Sequence, residues 1–166
     1  MDTFWLSSTP KIPASTYEGS DQSECPRIAT AVVLKPIEGK ELLLFINTHT
    51  DHLGAMSRTL ASAQLLEYAS QKGLATVITG DFNATPDTME IKMLTAGKAF
   101  PLTDATALLG PTFHAFGKIP AEKCVKIDYI FTNLPTDVNE AYALSDQPID
   151  GIYISDHCPV VAFVEI

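Results

Sequence analysis

Short apolar runs that stop abruptly at acid, amide and imidazole side chains constrain this chain more than any other feature. Glu41-Leu42-Leu43-Leu44-Phe45-Ile46-Asn47-Thr48 turns from apolar to polar within one residue. A run so short and so apolar predicts a strand buried on both faces. Ala75-Thr76-Val77-Ile78-Thr79-Gly80 repeats the pattern. Between them, from about Ala55 to Gln71, Met56, Leu60 and Ala63 recur at helical spacing, and Leu65, Leu66 and Ala69 widen the stripe. That spacing predicts an amphipathic helix, with Gly73 at its C′ position. Asp87 followed by Glu90 reads as a capping box opening a short helix through Met93 and Leu94, which Gly97 ends. Ile127 to Thr132 and Val160 to Ile166 complete the strands. Strand–helix–strand order with short links predicts an α/β (α+β) chain whose sheet carries helices on one face.

The 166 residues suit one domain. A chain of that length buries roughly 70% of its unfolded surface, so it needs no disulfide or metal merely to fold. Acidic residues outnumber Lys and Arg by 20 to 11, a net charge of −9. That balance disfavours coating of nucleic acid, which needs many cations on phosphates. An enzyme that meets phosphate through a metal ion remains compatible with it. Cys25, Cys124 and Cys158 lie far apart, with no CxxC spacing, and read as reduced thiols of a cytoplasmic protein. No apolar run reaches bilayer length, and Met1 to Trp5 lacks the start of a secretory signal, so the expectation is a soluble, intracellular chain without membrane contact. The least ordered stretch is expected from Ser7 to Pro26, where Ser, Thr, Pro and Gly cluster.

Four polar segments follow the apolar strands. In Asn47-Thr48-His49-Thr50-Asp51-His52, a period of two puts Asn47, His49 and Asp51 on one face. A hydrogen-bonded strand end explains that segment as well as function does. In Gly80-Asp81-Phe82-Asn83-Ala84-Thr85-Pro86, Asp81 and Asn83 share a face where α/β folds tend to place ligands. A carboxylate beside a carboxamide suits a hard divalent cation or a positioned water, and an Asx turn before Pro86 is the competing reading. Asp128, in Lys126-Ile127-Asp128-Tyr129-Ile130-Phe131, is costly to bury without a partner. A protonatable histidine would serve, and so would a lysine. In Ser155-Asp156-His157-Cys158-Pro159, Asp156 and His157 can converge only if the backbone bends, which Pro159 permits.

The motifs NTHTDH, GDFNATP, KIDYIFTN and SDHCPVVA, in this order, resemble the C-terminal half of the endonuclease/exonuclease/phosphatase superfamily, whose fold is deoxyribonuclease-I-like. Thr3 to Pro10 and Arg27 extend the likeness to a bacterial branch with a similar FWLS–TP segment. The resemblance implies half of a four-layer α-β-β-α sandwich, with one mixed sheet and helices on its outer face. It also implies a divalent-metal-dependent phosphoester hydrolase, a phosphodiesterase or nuclease-like enzyme, using Mg²⁺ or Mn²⁺. His49 resembles the histidine that contacts the scissile phosphate, and Asp81 the aspartate that orients or deprotonates the attacking water and stands by the metal. Asn83 is similar to the asparagine on the phosphate, and Asp156 to the metal-side carboxylate. His157 resembles the histidine that acts as base or transition-state stabiliser, with Asp128 fixing its tautomer. Lys126 stands where arginine is common, as a substrate contact.

An Asn and a metal-binding Glu that belong to the family's N-terminal half have no counterpart here, and Glu18 and Glu24 lie in the wrong context. The chain is therefore expected to be a single truncated domain, residues 1–166. Its open sheet face would be covered most simply by a second copy. The alternative to an enzyme is a catalytically silent half-domain, acting as a folding or binding unit. A generic phosphate- or sugar-binding module explains the polar strand ends but not their order. The loop from His114 to Lys126 holds Lys118, Lys123 and Lys126, which could touch a phosphate or form a solvated hairpin. With this net charge, a small phosphodiester or phosphorylated metabolite fits better than long DNA.

Overall fold

The computed structural model describes residues 1–37, 41–97, 100–144 and 148–166. The strands are β1 (Asp2–Trp5), β2 (Ile28–Leu34), β3 (Leu43–His49), β4 (Ala75–Asp81), β5 (Thr103–Asp104) and β6 (Asp128–Thr132). They form one sheet in the order β1-β2-β3-β4-β6-β5. Only β3 and β4 pair in parallel, joined by helix α1 (Ala55–Lys72), as a parallel crossover requires. The sheet is thus mixed, and α1 packs with α2 (Met89–Ala96) on one of its faces. No helix among the described residues is long and apolar enough to cross a membrane, and all three cysteines are free thiols.

The helix-covered face holds the core. Phe4, Ala29, Ala31, Leu44, Ile46, Ile78 and Phe131 meet Ala61, Leu65 and Ala69 of α1 and Ile91 and Leu94 of α2. Phe82 adds edge contacts to the Tyr129 and Phe131 rings, which stack on each other. The opposite face stays partly open. Ile28 and Asn47 are exposed, and Thr30, Val32 and Phe45 are half-buried. The expectation that β3 is buried on both faces is therefore corrected: Leu44, Ile46 and Thr48 are buried, while Asn47 and His49 are not.

The helix over residues 55–72 forms as predicted, and Leu65 and Ala69 of the expected stripe are buried, but its other edge faces out. Met56 and Leu60 are 53% and 38% exposed, and Ala63 is exposed too. The buried face is Ser57, Ala61, Ser62, Leu65 and Ala69. Ser counts as polar in any periodicity, yet it has too little bulk to hold a helix off a sheet. The first turn of α1 has no side-chain cap from Gly54. Instead the Asp21 carboxylate accepts from the N–H groups of Met56 (3.1 Å) and Ser57 (2.9 Å), satisfying two orphan donors. Asp51 accepts from the N–H groups of Leu53 and Gly54 and from Ser23. The stretch from Ser7 to Pro26, expected to be the least ordered, is thereby tied to α1, and buried Tyr17 bonds to Gln64 of that helix. Gly73 ends α1 in the left-handed conformation, φ 61°, with its N–H on Ala69 O.

Two further expectations change. The Asp87–Glu90 capping box does not form: Thr88 precedes α2, and Asp87 accepts from the Thr85 hydroxyl. Glu90 turns inward to a buried ion pair with Arg58 Nε at 2.8 Å, which joins α2 to α1. Gly97 follows the helix in an extended conformation. The C-terminal strand shrinks to β8 (Val160–Val161), which pairs with β7 (Tyr142–Ala143) as a separate two-stranded sheet. Beyond it the chain bonds to a loop instead, through Thr136 Oγ1 to Phe163 O and Glu165 N to Pro135 O.

Gly80 of β4 packs directly against the Thr48 backbone of β3. A Cβ added there would lie 1.9 Å from Thr48 O, so any side chain forces the two strands apart. Gly80→Ala is expected to cost roughly 2–4 kcal/mol. Gly19→Ala, at φ +70° with nothing within 4 Å, should cost only about 1 kcal/mol for the left-handed backbone. Urea denaturation midpoints of the two variants measure the difference.

Candidate active site

Register builds the site. Parallel pairing sets His49 opposite Asp81, and antiparallel pairing of β4 with β6 sets Asp128 opposite Asp81 on the other side. Three chemistry-bearing side chains thus line up across three neighbouring strands. His49 Nε2 lies 3.3 Å from Asp81 Oδ2. His157 arrives from outside the sheet, with its Nδ1 2.8 Å from Asp128 Oδ2 and its Nε2 3.7 Å from Asp81 Oδ2. The carboxylate can only accept, so Nδ1 carries the proton and Nε2 of the neutral ring presents a lone pair toward Asp81. The Phe113 ring meets the imidazole edge-on at a centroid distance of 5.0 Å.

Asp81 divides its two oxygens. Oδ1 accepts from Asn83 N at 2.8 Å, an Asx-type bond that holds Asn83 at φ 48°, while Oδ2 faces both imidazoles. The turn and the site are therefore one arrangement. Asn83 Nδ2 donates to Thr50 O at 3.2 Å, which fixes the carboxamide beside the strand end. Burial pushes the Asp81 carboxyl above its ordinary range, although Asn83 N–H and His49 pull it back. Burial also lowers the His49 imidazole below its usual value, against the pull of Asp81. Both directions favour the uncharged forms.

Thr112, which no sequence signal singles out, ties the site together. It is fully buried, and its hydroxyl accepts from the N–H groups of Ile127 and Asp128, both at 3.1 Å. Its own proton goes to Asp128 Oδ2 at 2.6 Å. Thr112 O accepts from Cys158 N at 2.7 Å, so the same residue also anchors the segment that carries His157.

Three expected residues stand elsewhere. Asp156 is not in the group that could share a metal, which consists of Asp81, Asp128 and His157 among the described residues. Its backbone carbonyl accepts from His114 N, and the bend after it turns His157 alone toward Asp128. Lys126 is engaged by a carboxylate away from the group. It is only 6% exposed, pairs with Asp104 Oδ2 at 3.0 Å, and lies 3.4 Å from the Tyr129 ring centroid. Burial lowers its pKa, and Asp104 opposes that. Asp51 leaves the face of Asn47 and His49, because β3 ends at His49 and Asp51 serves the start of α1.

The chain matches the Endonuclease/Exonuclease/phosphatase family over residues 15–157. It belongs to that family. Among solved structures, a family protein from Bacteroides vulgatus is 29% identical with a TM-score of 0.84, over 99% of this chain and 64% of that one. A functionally unknown conserved protein from Enterococcus faecalis V583 is 31% identical with a TM-score of 0.83, over the same shares. A mannosyl-6-phosphatase from Bacteroides thetaiotaomicron VPI-5482 is 25% identical with a TM-score of 0.75, over 99% of this chain and 65% of that one. The chain thus spans slightly less than two thirds of the length of each. No curated protein matches it.

For this Endonuclease/Exonuclease/phosphatase family chain, the donor set bears on a divalent cation. Asp128 Oδ2 and His157 Nδ1 are spent on each other, which leaves Asp81 Oδ2 and Asp128 Oδ1 as the carboxylate oxygens in the group that accept no hydrogen bond among the described residues. One carboxylate with added water and substrate oxygens is a usual binding mode for Mg²⁺, so the residues are compatible with it.

Thr112→Val keeps the side-chain shape but leaves two buried N–H groups and a carboxylate oxygen without their partner. The expected cost is about 1–3 kcal/mol, against a near-neutral Thr112→Ser, read from urea denaturation.

Proposed function

We propose that this chain carries the water-activating half of a divalent-metal-dependent phosphoester hydrolase. The observation that supports the reading is the Asp81 carboxylate, flanked by two imidazole Nε2 atoms at 3.3 and 3.7 Å, one of them on a ring held by Asp128. In this reading water attacks phosphorus and gives its proton to Asp81 or to His157 Nε2. The Asp81 carboxyl, raised by burial, is the better proton acceptor for it. Asp128 holds the tautomer of His157 and stabilises the imidazolium that forms. The phosphorus–oxygen bond to the leaving group breaks, and the proton that Asp81 took from water passes through His49 Nε2, 3.3 Å away at the open edge of the group, to that oxygen. The amide hydrogen of Asn83 that Thr50 does not take meets a phosphate oxygen. Asp81, in the group with Asp128, would hold Mg²⁺ or Mn²⁺, which neutralises phosphate charge when bound.

A small phosphodiester or phosphorylated metabolite in the cytoplasm is the substrate class that fits a chain of charge −9. Bis(p-nitrophenyl) phosphate with Mg²⁺ or Mn²⁺ tests the reading. His157→Ala should lower the rate ~10²–10⁴-fold. Equal rates for the two proteins would remove His157 from the mechanism. A wild-type rate that ignores the metal would favour the catalytically silent half-domain.

The open sheet face has a further consequence. Ile28 is 40% exposed there, beside half-buried Trp5, Val32 and Phe45. Apolar surface of that kind is normally covered, and we propose that a second copy covers it, sheet against sheet. Light scattering at micromolar concentration should give a dimer, and a clean monomer counts against that cover.

A further inference from the structure

Arg27 stands just before β2, with its carbonyl accepting from Leu6 N at 2.8 Å. Its side chain is half-buried. Taking a guanidinium out of water is costly unless an anion compensates it, and the other two cations that this fold draws in obey that rule. Lys126 has Asp104, and Arg58 has Glu90. Arg27 has no carboxylate at ion-pair distance among the described residues, although the chain offers 20 acidic side chains. Its single side-chain bond runs from a terminal nitrogen to His52 Nδ1 at 3.1 Å, and its Nε is buried without a partner.

Arg27 lines a cleft of about 230 Å³ that reaches His49. Thr30, Asn47 and Thr48 are among the other lining residues, and none of the residues lining it is acidic. In a chain this acidic, a cleft that holds an uncompensated cation, the Thr30 hydroxyl and the Asn47 carboxamide has the chemistry of an oxyanion site. It adjoins the reacting group without being part of it, since His49 belongs to both.

We infer that this cleft is an anion subsite, in which Arg27 holds a phosphate-type group of the substrate on the His49 side of the reacting phosphorus. The inference rests on the phosphoester reading for its choice of substrate, which becomes a phosphoester carrying a second, non-reacting anionic group. The forked guanidinium meets two oxygens of that group at once, and Thr30 and Asn47 supply neutral donors around it.

Inorganic phosphate, titrated into the full chain without added metal, tests the subsite. Proton–nitrogen spectra follow the Arg27 Nε–H and the Asn47 carboxamide. Both should move saturably with phosphate. Acetate at matched ionic strength should bind at least about tenfold more weakly, because a planar monoanion satisfies the fork but not the surrounding donors. Acetate matching phosphate would mean that the cleft is built for a protein carboxylate and would overturn the proposal. Arg27→Gln should weaken phosphate binding about tenfold or more, with Arg27→Lys in between. An unmoved Arg27 Nε–H in the wild type, or equal affinity in Arg27→Gln, would also overturn it. The wild-type titration decides the question even where a variant fails to fold. Because binding is read without turnover, intact phosphate binding alongside a His157→Ala protein of unchanged activity sinks the hydrolase reading alone.

Discussion

Seven matched residue pairs hold β3 and β4 in parallel register, and that pairing places an imidazole level with a carboxylate. Side chains alternate along a strand, so a slip of one residue would send His49 or Asp81 to the helix face. The register is guarded on that face by Leu44, Ile46 and Ile78, which must all stay under α1 and α2. It is guarded at the site by Gly80, the residue before Asp81, which lets the backbone pass against Thr48. The hydrophobic core and the reacting group are therefore two faces of a single constraint. Packing on one side of the sheet aims the chemistry on the other.

What register cannot supply is the fourth side chain, since His157 lies outside the sheet. Its place is set by hydrogen bonds. Asp128 is the first residue of β6, where a carboxylate needs donors, and it receives them from Thr112 and from His157. The shared oxygen is what makes the arrangement specific. With the Thr112 proton already on Oδ2, the imidazole that approaches must donate there too, so the tautomer of His157 is fixed by a hydroxyl that never touches it. Thr112 O meanwhile holds Cys158 N, so the distance from β6 to the segment that carries His157 is fixed at two points.

This division explains which features were legible in the sequence. The sheet, its crossover helix and the placement of His49 and Asp81 follow from apolar runs and period-two alternation, which are local, and Asn83 follows from the Asx turn after the strand. The Asp128–His157 pair was legible because a buried carboxylate needs a partner and the motif order named one. Thr112 was not, because a threonine acquires its role only when Asp128 and Cys158 meet it from remote parts of the chain. The side of α1 that would be buried was misjudged for a related reason. A helix lying close to a sheet selects small residues, and Ser57 and Ser62 satisfy that selection while hydropathy assigns them to water. Glu90 shows the same override, since a local cap lost to a buried pairing with Arg58 across two helices. Asp156 and Lys126 stand outside the group: the Asp156 carbonyl takes His114 N–H, and Lys126 is drawn into a buried pair with Asp104, a partner that no local motif names.

Charge is distributed across the site unevenly, and the unevenness has a direction. On one side of His49 stand Asp81 and Asp128, where burial already strains the ionised form of Asp81. On the other side stands Arg27, in a cleft lined by no acid. A protein interior tolerates neither excess by itself, and here the two do not cancel, because the guanidinium makes no ion pair with the carboxylates. Each excess is instead left open to what binds. In the proposed reading the acidic side would hold a cation, and the basic side the anion that accompanies it. A phosphoester bound with a divalent metal has that polarity built in, whereas a neutral sugar or an apolar ligand relieves neither charge. The field of the cleft thus selects its ligand class before any shape is considered, and His49 lies on the boundary between the two regions.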